Sequence, residues 1–119
     1  MEAGGFRLTV DEPVPAGGTG QGPMPTDLLL ASLSSCYALA LAWAARKRGV
    51  DLPDLVVTAT GTYAGPRFRA LTLTVRTSAA ADVVTPLLEP ARRVCYVSNT
   101  FAHAPDISVR LACPGTTDD

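Results

Sequence analysis

Two cysteines in different surroundings are the residues of this chain best suited to chemistry. Cys36 lies in an apolar stretch, whereas Cys95 follows two arginines and enters a polar run. The thiolate is the reactive form of cysteine; nearby arginines lower the pKa of a thiol and apolar burial raises it. Taken alone, Cys36 is better explained as a small buried hydrophobe. The arginines before Cys95 fit a solvated surface pair as well as a partner for a thiolate.

The other candidate groups indicate packing or loops rather than a site. Cys113 is in step with Ile107 and Val109 on a predicted strand, so we assign it to the core. His103 is the single histidine and lies in an Ala-His-Ala-Pro stretch that is typical of a loop. No Cys-x-x-Cys pair, zinc-type spacing, nucleophile elbow or phosphate-binding glycine motif is present. We therefore expect no metal site and no cofactor.

Composition narrows the class of protein. The chain has 119 residues, of which 47% are hydrophobic and 18% charged, and this favours one folded domain spanning residues 1–119. The net charge is −1 and no basic stripe is visible, so we expect no nucleic-acid partner. The first residues lack the basic and apolar regions of a signal peptide, which predicts a cytoplasmic protein.

A long helix from Pro25 to Arg48 is predicted around Cys36. Thr26 or Asp27 would cap its start, and Gly49 follows its basic end. Its uncharged run of residues 28–45 only just reaches the length that crosses a bilayer. A helix that is apolar on all sides is more often buried in a core or a subunit interface, so we prefer that interpretation and expect no membrane partner.

Alternating and helical patterns predict the remaining elements. A kinked or divided helix is predicted over 82–94, because it contains Pro86 and Pro90. Strands are predicted over residues 6–10, 55–63, 67–77 and 107–113, with a hairpin turn at 64–66. The fold class is therefore α+β, with an antiparallel sheet packed on a long buried central helix.

Two motifs in this order resemble those of the OsmC/Ohr family. The first is DEPVPAGGTGQGPMPTDLLLASLSSC, which runs from Asp11 to Cys36, and the second is CYVSNT, from Cys95 to Thr100. In this family an Ala-Gly-Gly loop precedes a Gly-Pro-x-Pro helix start and a Leu- and Ala-rich helix with a cysteine. The second cysteine motif of the family is usually Cys-Pro-Val-Ser-Asn. The resemblance covers nearly the whole chain from about residue 6.

The resemblance implies a fold, an activity and partners. It implies an intertwined homodimer with its active site at the subunit interface, and a chain that begins after the family's first strand or two. The implied activity is a thiol-dependent peroxidase of oxidative stress defence, in which Cys36 attacks an organic hydroperoxide, Cys95 resolves the sulfenic acid and an external dithiol regenerates the pair. An apolar pocket of Leu29, Leu33 and Trp43 would favour bulky hydroperoxides.

The same resemblance suggests supporting residues. Family peroxidases carry a glutamate ten residues before the first cysteine, where this chain has Thr26 with Asp27 beside it. They also use an arginine of an N-terminal strand to ionise that cysteine, and the only N-terminal arginine here is Arg7. Tyr96 replaces the usual proline after the second cysteine.

Two other functions remain open at this point. One is a non-catalytic member of the family that binds a small hydrophobic ligand in the interface pocket. The other is a redox sensor that forms the same disulfide without rapid turnover.

Overall fold

The computed structural model describes residues 1–112, which form a mixed α+β fold. The elements in chain order are β1 (Glu2–Ala3), β2 (Phe6–Arg7), a 3-10 turn (Val14–Ala16), α1 (Pro25–Lys47), β3 (Val56–Tyr63), β4 (Phe68–Arg76), α2 (Ala81–Val94) and α3 (Tyr96–Ala102). Strands β1 and β2 form one antiparallel pair, and β3 and β4 form another. The predicted α+β class is confirmed.

The bounds of α1 follow from its terminal residues. Pro25 occupies the first helical position, where a missing N–H costs nothing. The carboxylate of Asp27 accepts a hydrogen bond of 3.1 Å from the N–H of Met24, which has no partner within the helix. Arg46 and Lys47 lie in the last turn, and Gly49 leaves the helix with a positive φ of 65°. The predicted helix is confirmed to within one residue.

One face of α1 packs against α2 and the β3–β4 hairpin, and this contact is the core. Leu41 on α1 and Leu87 on α2 are fully buried within it. Apolar residues of both strands, including Val57 and Leu73, pack against the same cluster. The buried residues of α1 are Leu33, Tyr37, Ala40, Leu41, Ala44 and Ala45.

The opposite face of α1 is uncovered in the single chain. Leu39 on this face is 72% exposed. By length and composition alone, the helix is long and apolar enough to cross a membrane. Only 33% of its most apolar 18-residue window is buried. The helix therefore leaves apolar surface uncovered in the single chain, and such patches often mark contact sites.

The β3–β4 hairpin has the predicted alternation and ends within a residue of the predicted bounds. Its residues alternate between an exposed face and a half-buried face, and the register pairs Val57 with Val75. Near the turn, the rings of Tyr63 and Phe68 stack with centroids 4.6 Å apart. Gly61 leaves room for the Phe68 ring, because a Cβ at Gly61 would lie 2.5 Å from it.

Helix α2 is continuous through both of its prolines, and the chain breaks instead at Cys95. Pro86 and Pro90 lie inside α2, which ends at Val94 before α3 begins at Tyr96. The sequence predicted a kink or a division within 82–94. The helix is instead undivided there, and the break follows it at Cys95. The short helix α3 was not predicted, because its polar residues lack a helical pattern.

Two predicted strands are wrong in whole or in part. The strand over 6–10 is limited to Phe6–Arg7, because only Glu2–Ala3 lies opposite to pair with it. The strand over 107–113 is not formed in its described part, residues 107–112, and Cys113 lies outside the described residues. A strand needs a neighbouring strand to satisfy its backbone groups, and no strand within residues 1–112 pairs with this segment.

The carboxylate of Asp11 organises the loop before α1. It accepts hydrogen bonds from the hydroxyl of Thr19 and from the N–H groups of Glu12 and Gln21. Gly18 permits this closure, because a Cβ there would collide with the carbonyl of Glu12. The hydrogen bonds, led by that from Thr19, lower the pKa of Asp11 to about 2.

Removing the Thr19 hydroxyl should raise the pKa of Asp11 toward 3.8. Because the folded pKa lies below the ordinary value, the stabilisation by Asp11 is complete above about pH 4 and is lost as the pH falls toward 2. An NMR titration of the side-chain carboxyl carbon in Thr19→Val measures the change, with Thr58→Val as a control on the exposed face of β3. A wild-type pKa near 3.8 would contradict the assignment.

Candidate functional site

Cys95 lies at the corner between α2 and α3 and has no exposed surface. Its backbone is extended, with φ of −81° and ψ of 103°, so it ends one helix and begins the next. Its side chain is 0% exposed and belongs to the core cluster of α1 and α2. The thiol therefore points into the core from the corner between α2 and α3.

Two polar residues after Cys95 hold the corner together. The carbonyl of Cys95 accepts the hydroxyl of Ser98 at 3.2 Å and the N–H of Asn99 at 3.0 Å. The side-chain amide of Asn99 donates to the carbonyl of Arg93 at 3.0 Å, one of the last carbonyls of α2. The Ser-Asn pair of the CYVSNT motif thus has a structural role, which is to fix the backbone around Cys95.

Cys36 packs against the same cluster from α1. It is half-buried, and its side chain contacts the apolar group that contains Cys95. Both thiols are free. The structure therefore gathers the two cysteines, 59 positions apart in the sequence, around one apolar cluster.

A trough of about 1550 Å³ runs beside this cluster, between α1, the hairpin and α2–α3. Cys36 and Cys95 are not among its lining residues, but Tyr37 and Ser98, which are close to them in the chain, are. Ligand pockets usually measure about 300–1,000 Å³. The trough is thus large enough for more than a small molecule.

The predicted pocket residues fall in two places. Leu29 and Leu33 line the trough, as does Thr26. Trp43 instead lies in a separate depression of about 460 Å³ at the basic end of α1, where the Lys47 ammonium sits 4.7 Å from its ring centroid. The structure does not bring Trp43 together with the two leucines.

The predicted supporting charges lie apart from the thiols. Asp27 caps α1 through the N–H of Met24, and its side chain is exposed. Arg7 is exposed on the short β1–β2 hairpin, where its guanidinium has no hydrogen-bond or ion-pair partner within residues 1–112. Within the same residues, no group of three or more His, Cys, Asp or Glu side chains is arranged to hold a metal ion.

Tyr37 is a site residue that the sequence did not single out. Its hydroxyl donates to the carbonyl of Leu88 on α2 at 2.8 Å. Burial raises the pKa of Tyr37, the charges of Cys95 and Glu89 raise it further, and Arg92 lowers it. The phenol thus stays protonated at neutral pH and lies within electrostatic reach of Cys95. The feature of the sequence that could have identified Tyr37 as a site residue is its position directly after Cys36.

Comparison with known proteins assigns the family. Residues 18–110, which include both cysteines, the second motif and the first motif from Gly18 onward, match the model of the OsmC-like proteins. The chain belongs to the OsmC family. Members of this family are typically soluble. No curated protein matches the chain.

Solved structures of OsmC proteins share the fold. A protein of Vibrio cholerae assigned to organic hydroperoxide resistance, with captopril in one of its active sites, is 27% identical and has a TM-score of 0.65 over 82% of this chain and 70% of its own. An OsmC-like protein of Mycoplasma pneumoniae is 18% identical and has a TM-score of 0.72 over 87% of this chain and 77% of its own. A Legionella pneumophila organic hydroperoxide resistance protein is 24% identical, with a TM-score of 0.62 over 81% and 74%.

Asn99→Ala should destabilise the corner that holds Cys95. The substitution leaves the Arg93 carbonyl, at an exposed position, without its side-chain donor, which costs about 1 kcal/mol. Urea unfolding at a fixed protein concentration measures the loss. Thr100→Ala is the matched control, since its hydroxyl bonds only the Tyr96 carbonyl within α3, and it should change the unfolding free energy by less than about 0.5 kcal/mol. Equal effects of the two variants would contradict the role given to Asn99.

Proposed function

We propose that this OsmC protein is a thiol-dependent peroxidase that reduces organic hydroperoxides in oxidative stress defence. The observation that carries the proposal is that Cys36 and Cys95, both with free thiols, pack in the same apolar cluster beside an open trough. The Vibrio cholerae relative, assigned to organic hydroperoxide resistance at 27% identity, supports the same substrate class.

The reaction balances with these two thiols and one external dithiol. The Cys36 thiolate attacks an oxygen of the hydroperoxide; the O–O bond breaks, an alcohol leaves with one proton, and Cys36 becomes a sulfenic acid. The Cys95 thiol displaces the hydroxide from that sulfur, which gives a disulfide and water. An external dithiol then reduces the disulfide through two exchange steps and is itself oxidised.

A nearby positive charge favours the reactive thiolate form of a cysteine. Arg92 lines the trough with Tyr37, and its charge reaches the Tyr37 phenol. We assign the activating role to Arg92 in preference to Arg7, which is exposed on the N-terminal hairpin. A cytoplasmic location fits the cycle, because cytosolic reductants keep such thiols reduced.

Cumene hydroperoxide should be consumed at least about tenfold faster than hydrogen peroxide. Burying about 100 Å² of apolar substrate surface is worth about 2.5 kcal/mol, and hydrogen peroxide has no such surface to bury. Peroxide consumption with excess dithiol is followed in the wild type, Cys36→Ser and Cys95→Ser. Cys36→Ser should lose activity, whereas Cys95→Ser should retain one rapid turnover per chain.

Four results would contradict this function. Hydrogen peroxide consumed as fast as cumene hydroperoxide would remove the argument for an apolar substrate. Unchanged turnover in Cys36→Ser would exclude Cys36 as the attacking thiol. Slow stoichiometric oxidation without turnover would indicate a redox sensor, and an inert Cys36 with tight binding of an apolar ligand would indicate a binding protein.

The active form is proposed to be an intertwined homodimer, because the single chain is less compact than a folded domain of its length and leaves one face of its long helix uncovered. Its Cα radius of gyration is 17.8 Å, whereas a compact chain of this length has about 13–14 Å. The uncovered face of α1 includes Leu39. Each of these features is explained if a second copy packs against the first.

The segment after α3 is the part of the chain that we assign to the partner's surface. Ile107, Val109 and Leu111 alternate along it as strand residues do, yet all three are almost fully exposed. The trough along β4 and α2 is larger than a small-molecule site and has an apolar lining. Pairing of residues 107–111 with the second copy would give this segment a neighbouring strand, which the described residues of its own chain do not provide.

Val109→Asp should weaken the dimer at least about 100-fold in dissociation constant, because a carboxylate replaces a buried apolar group in the interface. In the isolated chain Val109 is 95% exposed, so the same substitution would be harmless there. Sedimentation velocity over a range of concentrations measures the effect.

Ser108→Asp is the matched control for this variant. It introduces the same charge on the opposite side of an extended segment, and it should shift the dissociation constant by less than about threefold, since its side chain would face away from the interface. A monomeric wild type, or equal effects of the two substitutions, would contradict the proposed dimer.

A further inference from the structure

Within residues 1–112, the only hydrogen bond that joins α1 to α2 is the one donated by the Tyr37 hydroxyl. It crosses from the residue after Cys36 to the carbonyl of Leu88, and the oxygen-to-oxygen distance is 2.8 Å. The ring is 6% exposed, so water does not compete freely for either partner. The other buried residues that the two helices contribute to the core are apolar, and apolar packing carries no comparable directional constraint.

The two ends of this hydrogen bond are placed close to the two thiols. Tyr37 adjoins Cys36 in the chain. Leu88 lies on α2 seven residues before Cys95, which directly follows the helix, and Leu88 packs against the core cluster that contains Cys95. The charges that affect the phenol include that of Cys95, which puts the hydroxyl and the sulfur within electrostatic reach of each other.

We propose that Tyr37 is a positioning residue for closure of the Cys36–Cys95 disulfide. It holds the middle of α2 at Leu88, and through the rest of that helix the buried Cys95, in register with Cys36 on α1. The inference rests on the proposed thiol chemistry and assigns Tyr37 to its second step. That step forms the S–S bond and releases water from the Cys36 sulfenic acid, and the Tyr37 hydroxyl neither gains nor loses a proton in it.

A hydrogen bond that positions α2 against α1 affects the two steps of the reaction differently. Oxidation of Cys36 needs the hydroperoxide and the Cys36 thiolate, which the charge of Arg92 supports through an interaction that changes only gradually with distance, so this step is far less sensitive to small shifts of α2. Closure needs both sulfurs within bonding distance and aligned, and small errors in such alignment slow reactions steeply. A residue that ties one helix to the other therefore affects closure selectively.

The test compares Tyr37→Phe with Tyr96→Phe in the full-length protein. Tyr37→Phe keeps the ring and removes the hydrogen bond. Tyr96 directly follows Cys95 but is 84% exposed, so Tyr96→Phe is a matched control. Stopped-flow single turnovers with cumene hydroperoxide follow sulfenic acid formation by dimedone trapping and disulfide formation by mass spectrometry of quenched samples.

In Tyr37→Phe, closure should slow at least about tenfold, while oxidation of Cys36 stays within about twofold of the wild type. The longer-lived sulfenic acid should also be converted to sulfinic acid at lower hydroperoxide concentrations. Tyr96→Phe should match the wild type in both steps. Unchanged closure in Tyr37→Phe, or an equal slowing of both steps, would overturn the inference.

Diamide separates failure of this inference from failure of the peroxidase proposal. Diamide oxidises a thiol pair without a peroxide: one thiol adds to its N=N bond, the second displaces the adduct, and a disulfide and a hydrazine form. Tyr37→Phe should slow this closure as well, even if the wild type does not react with hydroperoxides. Folding of each variant is checked by circular dichroism and urea unfolding, and a partly unfolded variant is measured again in a stabilising osmolyte. Wild-type closure rates in Tyr37→Phe under these conditions would overturn the inference.

Discussion

The apolar contact between α1 and α2 is the interaction on which the rest of the structure depends. Leu41 and Leu87 are fully buried at this contact, and the inner face of the β3–β4 hairpin closes over it. Cys95 completes the buried cluster and Cys36 packs on its edge. The core and the candidate site are therefore the same cluster, so a substitution that disturbs the packing also disturbs the relation between the thiols.

Polar contacts turn this non-directional packing into a defined geometry. Ser98 and Asn99 fix the corner that carries Cys95, and Tyr37 ties that part of α2 to α1. Hydrophobic burial alone tolerates sliding of one helix along another, whereas buried hydrogen bonds have one favourable register. The proposed peroxidase needs such a register only where two sulfur atoms must meet.

The sequence predicted the elements whose patterns are local and regular. The long apolar helix and the strands around Leu73 follow from hydrophobic periodicity, and the two cysteines follow from the motifs that place them. Periodicity failed where a partner decides the outcome. Residues 107–112 alternate like a strand but form none in the described part of the single chain, and residues 8–10 have no strand opposite them. Tyr37 was missed because a single aromatic residue within an apolar helix has no pattern of its own.

The central claim is that Cys36 and Cys95 act as one redox pair, and peptide mapping of the oxidised protein tests it most directly. The reduced protein is treated with one equivalent of cumene hydroperoxide, alkylated, digested and analysed by mass spectrometry. The account predicts a disulfide joining the peptides of Cys36 and Cys95, with Cys113 alkylated. Sulfinic acid on Cys36 with Cys95 alkylated, or a disulfide that includes Cys113, would contradict it.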